Sequence, residues 1–196
     1  LPLEFDPYGS MFVVFRRPAT ENAGKAERNF PVFQPAFELA ENWTVQFDPR
    51  WGGPATTSFD KLVSWTQRPE EDIRFYSGTA TYRQTFNLPK WQRKKGQRYW
   101  LDLGNVKELA EVRLNGKNLG ALWTFPFRVD VTAALKAKGN TLEIDVVNFW
   151  PNRIIGDQSL PEDKRLTKTN IRKLTKDTPL MESGLLGPVR ILAEEK

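Results

Sequence analysis

Between residues 79 and 147 one pattern recurs: an apolar residue, then a polar one. In TATYRQTF, Ala80, Tyr82 and Phe86 share a face with Gln84, opposite Thr81, Arg83 and Thr85. RYWLDL sets Tyr99, Leu101 and Leu103 against Trp100 and Asp102, and AEVRL sets Ala110, Val112 and Leu114 against Glu111 and Arg113. FRVDV (Phe127, Val129, Val131) and TLEIDVVN (Leu142, Ile144, Val146) repeat it. A period of two puts one face in a core and the other in water, as in an antiparallel sheet solvated on one side. These segments have turn signals between them and only a brief helical stretch, Thr132 to Leu135, so the expected class is an all-β antiparallel sandwich. Asn115-Gly116 suits a two-residue type I′ turn joining Glu111–Leu114 to Lys117–Leu119, because both central positions need positive φ. A last strand, Pro188 to Leu192, follows a long irregular stretch, and a late returning strand fits Greek-key or jelly-roll wiring.

The flanks read differently. Residues 1–18 resemble a β-hairpin, with Leu1, Leu3 and Phe5 before a Pro7-Tyr8-Gly9-Ser10 turn and the apolar run Met11 to Phe15 after it. Residues 16–34 read as a polar linker, and a second unit starts near Phe37. The expected division is therefore 1–36, a hairpin and linker from a preceding region, and 37–196, the sandwich. FELAENWTVQF offers a strand with Trp43, Val45 and Phe47 on one face. The next stretch, to about Phe75, has no sustained period and reads as a long excursion with Gly52-Gly53-Pro54 in it.

Composition removes several chemistries. The 196 residues contain no Cys and no His, which excludes thiol nucleophiles, His bases, Ser-His-Asp triads and the usual zinc sites. No apolar run approaches the roughly 20 residues needed to cross a bilayer as a helix. The net charge of +5 comes partly from two clusters, Lys90 to Arg98 and Lys164 to Lys176. We read both as solvated loops rather than a nucleic-acid surface, which would interleave its charges with aromatics in an ordered groove. The expected partners thus include neither nucleic acid nor membrane.

The order of motifs is more specific than any one of them. ATYRQTFNLP, then LDLGNVKELAEVRLNGKNLG, then PFRVDVTAALKAKGNTLEIDVVN resembles the sugar-binding domain of the glycoside hydrolase family 2 type, a galactose-binding-like jelly roll. The flanking WTVQFDPRWGGP, FDKLVSWT, FWPNRIIGDQSLPEDKR and SGLLGPVRIL look like the C-terminal part of large bacterial α-L-rhamnosidase-like glycoside hydrolases, and GSMFVVFRRP looks like the segment that precedes this domain in them. The resemblance implies an accessory domain, without catalytic residues of its own, in a periplasmic or extracellular enzyme. Its catalytic domain would lie upstream, and its partners would be carbohydrate and that catalytic domain. It also implies no cofactor beyond an occasional structural calcium, for which Asp157, Glu162 and Asp163 offer oxygens.

A sugar presents apolar C–H faces and a rim of hydroxyls, so its site needs an aromatic platform with fixed polar groups. NFWPNRIIGD places Trp150, Asn152, Arg153 and Asp157 in one turn-rich run after the strand Leu142–Asn148. GALWTFPF adds Trp123 and Phe125 at another strand boundary. If both loops open on one edge of the sandwich, they form an aromatic and polar cleft. Trp65 and Tyr76 are weaker candidates. Other roles stay open: Trp150-Pro151 and Phe125-Pro126 as plugs for the end of the core, Arg153 with Asp157 as an internal ion pair, Asn152 as a turn residue. The same loops also suit a docking face for the catalytic domain.

Overall fold

The computed structural model describes residues 3–16, 18, 30–40, 42–89, 94–170 and 172–195. Residues 17 and 19–29 of the expected linker and the start of the first basic cluster, Trp91 included, lie outside the described residues. In chain order the strands are β1 (Phe33–Glu38), β2 (Trp43–Gln46), β3 (Thr57–Phe59), β4 (Thr79–Phe86), β5 (Tyr99–Asp102), β6 (Asn105–Lys107), β7 (Leu109–Leu114), β8 (Lys117–Leu122), β9 (Arg128–Asp130), β10 (Asn140–Val147), β11 (Gly184–Gly187) and β12 (Arg190–Glu194). Two short helices interrupt them, α1 (Glu71–Arg74) and α2 (Pro151–Asp157).

A six-stranded sheet, β3-β2-β4-β10-β7-β8, faces a four-stranded sheet, β1-β12-β5-β9, and β11 pairs with β6 beside them. Among the described residues every pair of named strands is antiparallel; one isolated parallel bridge joins Gly104 to Gly187. The core draws on both sheets: Val45, Tyr82, Val112, Leu142 and Ile144 from the larger, Tyr99, Leu101 and Ile191 from the smaller. Phe37 stacks on Phe86 across the gap, ring centres 5.9 Å apart. The chain is thus the expected antiparallel jelly-roll sandwich.

The alternating segments are the central strands. β10 lies between β4 and β7, from Asn140 opposite Phe86 to Val147 opposite Thr79. Its burial alternates as its sequence does. The Asn115-Gly116 turn has φ of 54° and 78°, joining Leu114 to Lys117 in register. The Asn115 side chain also donates to the Ala134 carbonyl at 2.7 Å, tying the turn to the neighbouring loop. Thr132 to Leu135 forms one helical turn closed on the Val131 carbonyl.

Three expectations change. In the N-terminal hairpin only the turn forms, with Gly9 N–H donating to Asp6 O at 2.8 Å. Among the described residues neither flank is in a strand, and Phe12 is 97% exposed. A two-stranded hairpin with no third strand or helix to pack on is marginal. Second, Phe33–Glu38, at the edge of the expected linker, is a full strand paired with β12, so the sandwich reaches back across residue 36. Pro35 is tolerated there because β1 is an edge strand with a bulge between Pro35 and Phe37. Third, the run after Trp150 is helix α2, not a string of turns. Pro151 occupies its first turn, where no N–H is needed, and Asn152 through Asp157 are all buried. A helix buried all round shows no amphipathic period.

One end of the six-stranded sheet gathers the candidate loops. Val147 pairs with both Thr79 and Leu109, Leu122 with Ala110, and Gln46 with Thr81. The segments after β2, before β4, after β8 and after β10 therefore open on the same edge.

Candidate functional site: the loop edge of the sandwich

The excursion after β2 builds the floor. Asp48 starts a 3-10 turn, Pro49–Trp51, and its carboxylate accepts from Arg50 N–H at 2.9 Å. The Arg50 guanidinium grips the same carboxylate, Nη2 to Oδ2 at 2.7 Å. That hydrogen bond holds the Asp48 carboxyl below its ordinary pKa. Farther along, Trp65 and Tyr76 turn inward and are fully buried, so these two candidates belong to the core. Phe47, Trp65 and Tyr76 pack edge to face. Trp65 Nε1 donates to Tyr82 Oη at 2.6 Å, and Tyr76 Oη donates to Thr79 O at 2.9 Å.

Side-chain amides lock the loops to each other. Asn148 accepts from Gly78 N–H at 3.0 Å and donates to Tyr76 O at 3.0 Å and Ser183 Oγ at 3.1 Å. Ser77 Oγ donates to Phe149 O at 3.0 Å and accepts from Arg153 N–H at 3.2 Å. Asn152, 1% exposed, spends its amide on Met181, accepting its N–H at 2.8 Å and donating to its carbonyl at 2.7 Å. It also donates to Ser183 Oγ at 2.9 Å. Asn152 is therefore a backbone clamp rather than a surface group.

Arg153 and Asp157 form the internal pair. Nε meets Oδ1 at 3.0 Å, with the side chains only 8% and 2% exposed. Asp157 Oδ2 accepts from Thr167 N–H at 2.8 Å and Thr167 Oγ1 at 2.6 Å. With both oxygens committed, Asp157 is not placed to hold calcium. Among the described residues no group of three His, Cys, Asp or Glu side chains gathers anywhere, so the residues do not fit the structural metal suggested by the resemblance.

These loops enclose a cleft of about 460 Å3 lined by Trp51, Trp150, Asp48, Arg50, Arg153 and Thr167, with Ser77, Gly78 and Asn148 below. Trp150 is 71% exposed and Trp51 49%, so both indoles are open to a ligand. The Arg153 Nη groups make no hydrogen bond among the described residues. The cleft can stack a ring, donate from a fixed guanidinium and accept at the Thr167 hydroxyl. Trp51 was not among the sequence candidates, although Asp48-Pro49 before it and Gly52 after it carry the signals of a capped turn.

Trp123 and Phe125 share the edge but not the cleft. They follow β8, two strands from β10, hence about 10 Å away along the sheet. Trp123 is 74% exposed; Phe125, 40% exposed, packs edge to face on the buried Phe127 at 4.9 Å. So Phe125 partly closes the core while Trp123 stands free.

The family described as glycosyl hydrolase 2 galactose-binding domain-like matches residues 64–177. A curated relative from Formosa agariphila, named "Putative beta-glucuronidase", is 40% identical over 176 residues, covering 78% of this chain and 15% of the relative. A "Beta-glucuronidase" of the same organism is 36% identical over 76 residues, 37% of this chain and 8% of its own length. The chain thus spans less than a sixth of the curated relatives it matches. Among solved structures, a rhamnosidase from Novosphingobium sp. PP1Y superposes with a TM-score of 0.76 at 34% identity, over 93% of this chain and 16% of the other. A Ruminococcus gnavus β-glucuronidase shares the fold, with a TM-score of 0.56 at 22% identity over 85% of this chain and 29% of its own. The chain belongs to the glycosyl hydrolase 2 galactose-binding domain-like family.

Proposed function

We propose that this chain is a non-catalytic accessory domain of a larger glycoside hydrolase and that it binds carbohydrate in the Trp51–Trp150 cleft. One observation carries the reading: two exposed indoles frame one cleft that is also lined by a buried arginine, of whose guanidinium only Nε is committed among the described residues. Scaffold indoles close a core, as Trp65 does; these two do not. The parent enzyme works on glycans outside the cytoplasm, in the periplasm or beyond the cell, and its catalytic carboxylates lie in another part of the polypeptide. Its specificity is of the rhamnosidase or the β-glucuronidase type, the two activities named among the similar proteins. Titrating the purified chain with L-rhamnose, galactose and pectin-derived oligosaccharides, read by tryptophan fluorescence, tests the reading. Saturable quenching that is lost in a folded Trp150→Ala variant supports it; no response up to millimolar sugar rejects it. Turnover of aryl glycosides by the chain alone would reject the non-catalytic part.

A second reading has its own observation. Trp123, Phe125 and Phe149 are exposed on the same edge outside the cleft, the residue types expected at an interface core. On that reading this edge docks on the catalytic domain and stabilises it. Trp123→Asp would then weaken association with the catalytic region while leaving sugar binding intact.

A further inference from the structure

The basic residues of the second cluster are exposed, as expected of a solvated loop, and three of them also line a cavity. Behind the Arg153–Asp157 wall lies a separate pocket of about 570 Å3, lined by Arg165, Lys168 and Arg172 with the hydroxyls of Thr167 and Thr175. The two cavities share Thr167, which lines both. Asp157, the acid deepest in this wall, is already saturated by Arg153 and Thr167. Glu162 is the other acid at the pocket. Among the described residues, Lys168 and Arg172 have no acidic partner, and Arg165 is held only by its Nε–H to the Leu160 carbonyl at 3.1 Å. Three exposed cationic residues thus line one concavity of a size that takes small ligands. Guanidinium groups present paired donors that match the oxygens of a carboxylate or a sulfate ester.

We infer that this pocket is a subsite for an anionic group on the glycan, a uronate carboxylate or a sulfate ester, next to the ring held by Trp51 and Trp150. The inference deepens the carbohydrate-binding reading and rests on it, because the shared Thr167 makes one saccharide chain span both cavities. The pocket selects acidic glycans over neutral ones, and it does so through exposed cations whose contribution is screened by salt.

The test compares a glucuronate trisaccharide, its carboxyl-reduced neutral counterpart, and a sulfated neutral trisaccharide, titrated calorimetrically into the full chain. Lys168→Gln/Arg172→Gln removes two cations that make no ion pair among the described residues, and Trp150→Ala removes the ring platform. The expected result is about tenfold or more weaker binding of a charged ligand to the double variant, unchanged binding of the neutral one, and a difference that shrinks as salt rises. Loss confined to the glucuronate or to the sulfated ligand supports the inference and names the group. Equal affinity for charged and neutral ligands, or an unaffected double variant, overturns the subsite; the cleft reading then stands if Trp150→Ala still loses binding. Conversely, charged ligands lost in the double variant but retained in Trp150→Ala keep the subsite and remove the cleft. Equally tight binding of a single-stranded DNA oligonucleotide, also lost in the double variant, overturns the inference in favour of general polyanion attraction.

Discussion

Asp157→Ala separates a structural ion pair from a ligand group. The carboxylate accepts three hydrogen bonds, from Arg153 Nε at 3.0 Å, Thr167 N–H at 2.8 Å and Thr167 Oγ1 at 2.6 Å. Removing one partner of a buried pair strands the other charge, which typically costs about 3–5 kcal/mol. Here Arg153 lines the cleft, where water can partly solvate the stranded guanidinium. Thr167 is only partly buried, so its donors also recover water. Both place the cost near the lower limit, about 3 kcal/mol. For a chain of this size, 1 kcal/mol moves the melting temperature by roughly 2–4 °C, so the expected fall is about 6–12 °C. Thermal unfolding followed by circular dichroism, with a urea series as check, measures it. Arg153→Met/Asp157→Ala removes both charges and is expected to recover half or more of the loss. A single variant that melts within about 2 °C of the parent refutes the reasoning. If that variant also lost sugar binding, the pair would be a ligand group.

Three further outcomes follow from the same structure. Glu143 and Asp145 form a ladder with Arg83 and Arg113 on the outer face of the six-stranded sheet, Arg113 Nη1 meeting Asp145 at 2.8 Å. Hydrogen bonds from Arg83 and Arg113 lower the Glu143 pKa; burial pushes Asp145 up, but Arg113 and Thr81 outweigh it and hold it down. The unfolded chain therefore takes up protons first as pH falls, so this stability is complete above the ordinary values of 4.5 and 3.8 and is lost below them; urea midpoints measured from pH 6 to pH 3 should drop less steeply in Arg113→Met. Tyr82 has its pKa raised to about 12 by burial, so an unfolded phenol ionises first and stability falls between pH 10 and about 12. Tyr82→Phe strands the Trp65 and Leu185 N–H donors, costing about 2 kcal/mol or more at neutral pH while flattening that alkaline loss in the same denaturation assay. Gly184→Ala, at φ +99° and directly against the Trp65 indole, should destabilise by about 2 kcal/mol or more in urea.

The legible part of the fold is the part whose faces differ. β4, β7 and β10 each bury one side and wet the other, and their sequences alternate accordingly. β1 escaped because its strand signal is broken by Pro35, which only an edge position with a bulge accommodates. Helix α2 escaped because six of its seven residues are buried, leaving no polar face to reveal a 3.6 period, while Pro151 and Gly156 read as turn residues. The same contrast governs the site. Trp150 was legible as an aromatic leaving a strong strand. Trp51 sat in a stretch without period, and only contacts far along the chain, such as Asp48 N–H to Tyr76 Oη at 3.2 Å, carry it to the same edge. For Asn152 and Asp157, residue type suggested a ligand, but their partners Met181 and Thr167 lie 29 and 10 positions away, and no local pattern reports that.

The most direct test is to watch each indole separately. The chain has seven tryptophans, two of which, Trp43 and Trp65, are sealed in the core and serve as internal references. Nitrogen-15 spectra of the indole N–H signals, assigned by single substitutions, would be recorded while pectin-derived oligosaccharides are added. The account predicts saturable shifts of the Trp51 and Trp150 signals together, with Trp43 and Trp65 still. Shifts confined to Trp123, or no shift at Trp51 and Trp150 at millimolar sugar, would contradict carbohydrate binding in the Trp51–Trp150 cleft.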